Sequence, residues 1–135
     1  MSGGGNESAT IIAGQGASES YVVAGAIISC NWGTKRMRLK TPLSHGVYIQ
    51  KQAQLNIGDY MLGTNIMPFE RCMSQSNPAV VAAGGIAPCT PIIALPWTNG
   101  KTETKVGGLP ALLNCSKNSC LYCGTISIED DGQGV

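Results

Sequence analysis

Apolar and polar residues alternate in short runs along most of the chain, a pattern typical of β-strands with one buried face. The apolar, β-branched run 21–30 predicts a strand. After the turn-forming letters NWGT, Met37 and Leu39 alternate with basic residues. Together these runs predict a hairpin over residues 21–40.

A second hairpin and two later strands follow from the same pattern. Alternating apolar positions predict the second hairpin at Val47, Ile49, Leu55 and Ile57. The proline-bounded run 88–97 predicts another strand, and an Asn-Gly turn follows it. The last strand is predicted over 125–129, with isoleucines facing inwards and polar residues facing outwards.

One segment carries the signals of a helix. Asn77 precedes Pro78, which suits a first helical position, and Gly84 suits a residue just beyond the helix end. The expected fold is therefore all-β, built from short strands and hairpins with at most one short helix.

The composition indicates a small core that needs an additional stabiliser. The 135 residues include 18 Gly and 7 Pro, and the single Phe is Phe69. A chain of this kind commonly depends on a disulfide, a metal or a partner. Residues 1–20 are rich in Gly, Ser and Ala and are expected to be flexible or bound to a partner, whereas 21–135 form one domain.

Charge excludes some classes of partner. The net charge of +1 gives no basis for binding nucleic acid or anionic lipid. Only 13% of residues are charged, against roughly 25% in ordinary soluble domains, so part of the surface is expected to be covered. The N-terminus lacks a signal-peptide pattern, and Gly and Pro interrupt the most apolar stretch, 80–97. Synthesis in the cytoplasm without ordinary export is expected.

Six cysteines in a reducing compartment favour metal ligands over disulfides. Only Cys120 and Cys123 form a C-x-x-C pair, so a metal site would join distant parts of the chain and close long loops. Structural zinc takes four such donors. Buried core thiols, a disulfide and a redox pair at Cys120 and Cys123 remain alternatives. His45, the single histidine, is more often a surface or capping residue than a ligand.

Two segments resemble each other near opposite ends of the chain. Residues 29–34 read SCNWGT, and residues 119–125 read SCLYCGT. In each, Ser-Cys precedes an aromatic residue and then Gly-Thr. This similarity predicts that the two segments have similar roles around a shared centre.

Catalytic motifs are missing from the sequence. It has no phosphate-binding Gly loop with its Lys, no serine nucleophile elbow and no H-E-x-x-H motif. One histidine leaves no general base for a catalytic triad. The protein is not expected to be an enzyme.

The order of several motifs resembles the PAAR-like proteins of type VI secretion and extracellular contractile injection systems. The resemblance runs from about Tyr21 to Gln133 and is carried by YVVAGAIISCNWGT, LSHGVYI, NIMPFERCMSQSNP, APCTPIIALPW and GLPALLNCSKNSCLYCGTISIEDDGQ. It implies a small cone that caps a homotrimeric spike, one tip per trimer, and sharpens it for membrane puncture, with a possible link to effector cargo. Membrane contact would be transient, and the tip would be expelled at the target envelope.

The resemblance also implies a site. The family's usual cysteines correspond to Cys30, Cys72, Cys89 and Cys120, which would hold one structural zinc. Cys123 stands where the family usually has Gly, and Cys115 is additional. Cys123 and His45 are therefore reserve ligands.

The expected contacts with the spike lie near the start of the chain, at Ile11, Ile12, Tyr21, Val23 and Ile27. Two other functions compete with a spike tip. One is a metal-binding adaptor that recruits effector cargo or binds a target surface through Trp97 and the loop 98–101. The other is a small oxidoreductase that uses the C-x-x-C pair.

Overall fold

The computed structural model describes residues 10–13 and 17–133, with the backbone alone described up to Ser18. Within these residues it contains short strands and one five-residue helix, so the expected all-β fold is confirmed. The strands are β1 (Thr10–Ala13), β2 (Ala17–Ser20), β3 (Ile27–Cys30), β4 (Met37–Arg38), β5 (Tyr48–Ile49), β6 (Gln52–Ala53), β7 (Arg71–Cys72), β8 (Ala87–Pro88), β9 (Lys101–Val106), β10 (Leu109–Ala111), β11 (Lys117–Cys120) and β12 (Gly124–Asp130). Helix α1 (Pro78–Ala82) lies between β7 and β8.

The strands form one antiparallel four-stranded sheet and four two-stranded pairs. The sheet has the order β11-β12-β3-β4, so strands from both ends of the chain lie side by side. The pairs are β1-β2, β5-β6, β7-β8 and β9-β10. The frequent Gly and Pro residues end strands early, which explains why many of these strands have only two residues.

Helix α1 begins and ends where the local signals predict. The Asn77 side chain accepts a hydrogen bond from the backbone N–H of Ala79 at 3.0 Å, as an N-cap does. Pro78 occupies the first turn. Gly84 follows the helix with a φ of 87°, a left-handed conformation that glycine adopts without strain.

The hairpin predicted over 21–40 is confirmed, but its first strand is shorter than predicted. β3 pairs with β4 through Ile28 and Met37. The run 21–30 is not one strand, because the chain turns at Gly25, whose φ is 95°. Before this turn, Tyr21 and Val23 form only isolated bridges.

The predicted strand over 88–97 is also wrong, since the ladder there includes only β8 (Ala87–Pro88). Pro91 and Pro96 lack the N–H group that a strand needs to continue pairing. The segment nevertheless stays attached to the sheet, because the carbonyl of Ile92 accepts a hydrogen bond from the N–H of Leu121 at 2.9 Å.

The second hairpin is confirmed in place, with a shorter ladder than the apolar pattern suggests. β5 pairs with β6 through Ile49 and Gln52. Gln50 and Lys51 both have positive φ angles, 51° and 69°, as a tight two-residue hairpin turn requires. Leu55 lies beyond this ladder and is fully buried.

The core contains large apolar side chains from most of the chain. Phe69, the single phenylalanine, is fully buried. Its fully buried partners include Val22, Ile28, Leu39, Leu55, Ile66, Val80, Leu112 and Ile126. In the C-terminal strand, Ile126 and Ile128 are buried and Thr125 and Glu129 are exposed, as the alternation predicts.

Trp97 lies inside this core rather than on the surface. It is 2% exposed, and its Nε1 donates to the backbone carbonyl of Asp59 at 2.9 Å. The expectation that Trp97 lies on an exposed recognition patch is therefore wrong.

Candidate functional site

Four cysteines from separate parts of the chain line one small cavity. They are Cys30, Cys72, Cys89 and Cys120. All four are free thiols. The cavity has a volume of about 10 Å³, which is near the least space that one water-sized body needs. We call it the cysteine cavity and its four thiols the cavity cysteines.

Two cavity cysteines end strands of the four-stranded sheet. Cys30 is the last residue of β3, and Cys120 is the last residue of β11. Strand β12 separates them, pairing Ile126 with Cys30 and Gly124 with Cys120. Their placement matches the expectation from the two similar sequence segments, which do meet at a shared centre.

The other two cavity cysteines come from the β7-β8 pair. Cys72 ends β7, and Cys89 directly follows β8. An isolated bridge between Gly33 and Cys72 joins this pair to the segment after β3. The N–H of Met73 also donates to the carbonyl of Trp32 at 2.9 Å. The cavity therefore lies where the pair meets the four-stranded sheet.

Backbone N–H groups donate to the sulfur atoms of the cavity cysteines. The N–H of Ser74 lies 3.4 Å from the Sγ of Cys72, and the N–H of Ile92 lies 3.4 Å from the Sγ of Cys120.

Backbone groups also act on the other two cavity cysteines. Those of Trp32 and Gly33 lower the pKa of the Cys30 thiol, and that of Phe69 lowers the pKa of the Cys89 thiol. Such interactions favour the thiolate form over the thiol. A cysteine must be in the thiolate form to bind a metal.

Burial acts in the opposite direction. It raises the pKa of the Cys30 thiol, and the adjacent Cys120 and Cys72 raise it further. Burial likewise raises the pKa of Cys89, with smaller contributions from the other cavity cysteines. Several thiolates this close together repel one another, and a bound cation would remove that repulsion.

Two glycines allow the backbone to approach the cavity closely. A Cβ atom added to Gly124 would lie 2.8 Å from the Sγ of Cys30. A Cβ atom added to Gly33 would lie 2.5 Å from the Cβ of Phe69. Any larger residue would therefore displace a cavity cysteine or a core side chain.

The glycines and two aromatic residues that line the cavity were not identified as site residues from the sequence. Trp32 and Tyr122 line it together with Gly33 and Gly124. All four occupy matching positions in SCNWGT and SCLYCGT. The similarity between the segments is the signal that could have identified them.

The cavity cysteines do not form a completed metal shell. Across residues 10–13 and 17–133, no group of three or more His, Cys, Asp and Glu side chains already has an arrangement that could hold a metal ion. The four thiols share a cavity, but coordination would require their side chains to move closer together.

The reserve ligands lie outside the cavity lining. His45 Nε2 lies 2.9 Å from Oδ2 of Asp59, and the ring packs against Gly107. Cys123 is exposed, and its Sγ accepts a hydrogen bond from Ser76 Oγ at 3.3 Å.

Cys115 lies in a different environment. It is exposed, and its Sγ lies 3.8 Å from Oε2 of Glu19. Burial raises the pKa of this thiol, and the charge of Glu19 raises it further. Cys115 is therefore separate from the cysteine cavity.

The residues expected to contact a spike differ in accessibility. Val23 is fully buried, so its expected contact is wrong: its side chain packs within the chain. Tyr21 and Ile27 are partly exposed. Ile11 and Ile12 lie in β1, where the side chains fall outside the described part of the structure.

In the described part of the chain, no helix is both long and apolar enough to cross a bilayer.

Residues 22–133 match the family model DUF4280, described as a domain of unknown function. The match includes the cavity cysteines and both similar segments. No curated protein and no solved structure matches the chain.

Proposed function

The chain belongs to the DUF4280 family, a domain of unknown function, and we propose that it is a structural spike tip whose cysteine cavity holds one zinc ion. The observation that carries the zinc site is the convergence of Cys30, Cys72, Cys89 and Cys120 on one cavity. Four cysteine sulfurs are a complete ligand set for structural zinc.

The cavity fits this group in donor chemistry, and its four side chains would move closer together to bind one ion. The four sulfurs are soft donors, and backbone N–H groups donate to the sulfurs of Cys72 and Cys120. A volume of about 10 Å³ suits a single ion better than a larger cofactor. Zinc supplies charge neutralisation and a rigid connection at this place.

The ion would stabilise the domain by joining its parts. Cys30 and Cys120 belong to the four-stranded sheet, while Cys72 ends β7 and Cys89 directly follows β8. Coordination of one ion by all four cysteines would close the three chain segments between them into loops at once. Structural zinc can contribute about 10–16 kcal/mol of apparent folding free energy, which is large for a domain with one Phe and many Gly residues.

The spike-tip role is supported by the resemblance to PAAR-like proteins and by this architecture. A tip has little interior volume at its apex, so side-chain packing there is weak and a metal can replace it. Short strands connected by tight turns suit a compact cap. The low fraction of charged residues, 13%, suits a surface that a partner covers.

Native mass spectrometry of the full chain co-expressed with the homotrimeric spike of its injection system tests this role. The proposal predicts a complex of one chain per spike trimer, with zinc retained. A chain that stays unbound at micromolar concentrations, or binds at three chains per trimer, would contradict it.

A further inference from the structure

Cys123 is a thiol that the proposed zinc site does not use, and it lies in the same tight turn as one cavity cysteine. Residues 121–123 connect β11 to β12, and Cys120 pairs with Gly124 where the two strands meet. Compared with SCNWGT, the segment SCLYCGT contains one additional residue, which is Cys123. The chain therefore places a second thiol beside Cys120 where the similar segment has none.

The turn brings the backbones of Cys120 and Cys123 close together. The φ of Cys123 is 65°, the left-handed conformation that completes a three-residue hairpin loop. The first and fourth residues of a tight turn have Cα atoms less than about 7 Å apart. Disulfides join Cα atoms that are about 4.4–6.8 Å apart. The turn therefore allows one disulfide between these two cysteines.

The two thiols differ in their access to solvent. Cys123 is exposed, whereas Cys120 is only 7% exposed and lines the cysteine cavity. Thiol–disulfide exchange requires that the attacking sulfur can reach its partner. An external disulfide therefore reaches Cys123 first, and Cys120 can react with the sulfur that the turn places beside it.

Side chains from two other segments hold this turn in place. Trp32 Nε1 donates a hydrogen bond to the carbonyl of Cys123 at 3.1 Å, and Ser76 Oγ donates to its Sγ at 3.3 Å. Ser74 Oγ donates to the carbonyl of Tyr122. All three donors belong to segments that also carry cavity cysteines. The Cys123 sulfur is thus fixed at the border of the cysteine cavity.

We propose that Cys123 is a thiol–disulfide exchange site, at which a small external disulfide such as oxidised glutathione oxidises Cys120 and Cys123 to a disulfide. In the first step, the Cys123 thiolate attacks one sulfur of the external disulfide, and one external thiolate leaves. In the second step, the Cys120 thiolate attacks the Cys123 sulfur, and the other external thiolate leaves. The two cysteines lose two electrons, the external disulfide gains them, and the two cysteine protons pass to the released thiols.

The exchange needs only the two thiols, whereas its consequence for zinc rests on the proposed function. A disulfide between Cys120 and Cys123 removes one of the four cavity thiolates, and the thiolate is the form that binds a metal. Thiols stay reduced in the cytosol, but extracellular and periplasmic compartments are oxidising. Zinc would therefore be retained in a reducing compartment and released after the chain leaves it.

Incubation of the full, zinc-loaded chain with oxidised glutathione tests the inference. Free thiols are then alkylated, and disulfides are mapped by peptide mass spectrometry. The wild-type chain should form the Cys120–Cys123 disulfide, and a zinc-binding dye should report release of the ion in step with it. Reduced glutathione at twice the concentration controls for competition between glutathione and the protein for zinc.

Cys123→Gly separates the exchange site from the zinc site. Glycine adopts a φ of 65° without strain, so this variant should fold and bind one zinc. Oxidised glutathione should release its zinc at least about tenfold more slowly, because the buried thiols lack an accessible partner. Cys115→Ser is the matched control, since Cys115 is also exposed but lies outside the cavity lining, and it should react like wild type.

Several results would overturn the inference. They are the absence of a Cys120–Cys123 disulfide in the oxidised wild type, glutathione that stays bound to Cys123, and a disulfide between Cys123 and Cys30. Equal rates of zinc release from wild type and Cys123→Gly would also contradict it. A chain that forms the Cys120–Cys123 disulfide but contains no zinc would support the exchange and contradict the proposed metal site, so the two failures are distinguishable.

Discussion

At the scale of single residues, the site depends as much on glycines and backbone N–H groups as on cysteines. The thiols supply the donors, but Gly33 and Gly124 let two strands come close enough to share one cavity. The backbone N–H groups of Ser74 and Ile92 then donate to two of the sulfurs. The close contacts at these positions make the site sensitive to small changes.

Gly124→Ala should disrupt the cavity, because its new Cβ would lie 2.8 Å from the Sγ of Cys30. We expect a loss of about 1–3 kcal/mol in the free energy of unfolding and reduced zinc content. Gly58→Ala is the control, since its Cβ would meet the flexible end of Leu109 at 2.6 Å. Denaturant unfolding and elemental analysis measure both effects; equal damage in the two variants would contradict the explanation.

Cys115 should react slowly for an exposed thiol. Burial and the charge of Glu19 raise its pKa, so less thiolate is present at pH 8 and alkylation slows. Glu19→Gln should lower the pKa and speed the reaction, although the effect of burial remains. Alkylation by iodoacetamide against pH, in a Cys123→Ser background, measures this. A midpoint unchanged by Glu19→Gln would contradict a role for that charge.

The sequence identified the thiols but not their surroundings. The grouping of these four cysteines was predicted only from the resemblance to the PAAR-like proteins, because spacing alone left a metal site, buried core thiols, a disulfide and a redox pair as alternatives. The N–H group of Ile92 could not be predicted, since it reaches Cys120 from 28 positions away. Such contacts depend on how segments that are distant in sequence pack against each other.

At the scale of elements, local signals predicted turns and the helix better than strand lengths. Asn77, Pro78 and Gly84 act within one segment, so their pattern specifies helix α1 directly. The run 21–30 is mostly apolar because it supplies buried residues on both sides of the turn at Gly25, namely Val22, Val23, Ala26 and Ile28. Continuous apolar character therefore suggested one strand where the chain forms two extended pieces.

The cap of helix α1 gives a prediction at this scale. Asn77→Ala should lower the free energy of unfolding by about 1 kcal/mol, because it removes the acceptor for the N–H of Ala79. Asn77→Ser keeps an acceptor and removes the side-chain Nδ2, which is buried without a hydrogen-bond partner. It should therefore cost less. Thermal unfolding of both variants measures the difference; an equal loss in both would argue against capping.

At the scale of the whole molecule, the protein consists of small sheets that a single ion would connect. The four-stranded sheet unites strands from both ends of the chain, and the β7-β8 pair supplies the other two cavity cysteines. A bound metal would then provide the rigidity that the small core lacks.

The most direct test of this account is elemental mass spectrometry of the purified chain and its single Cys→Ser variants. We expect one zinc per chain, lost or greatly reduced on changing any cavity cysteine. Zinc should be retained in Cys115→Ser, because Cys115 lies outside the cavity lining. A folded wild-type protein without metal, or zinc lost only in Cys115→Ser, would contradict the proposed site.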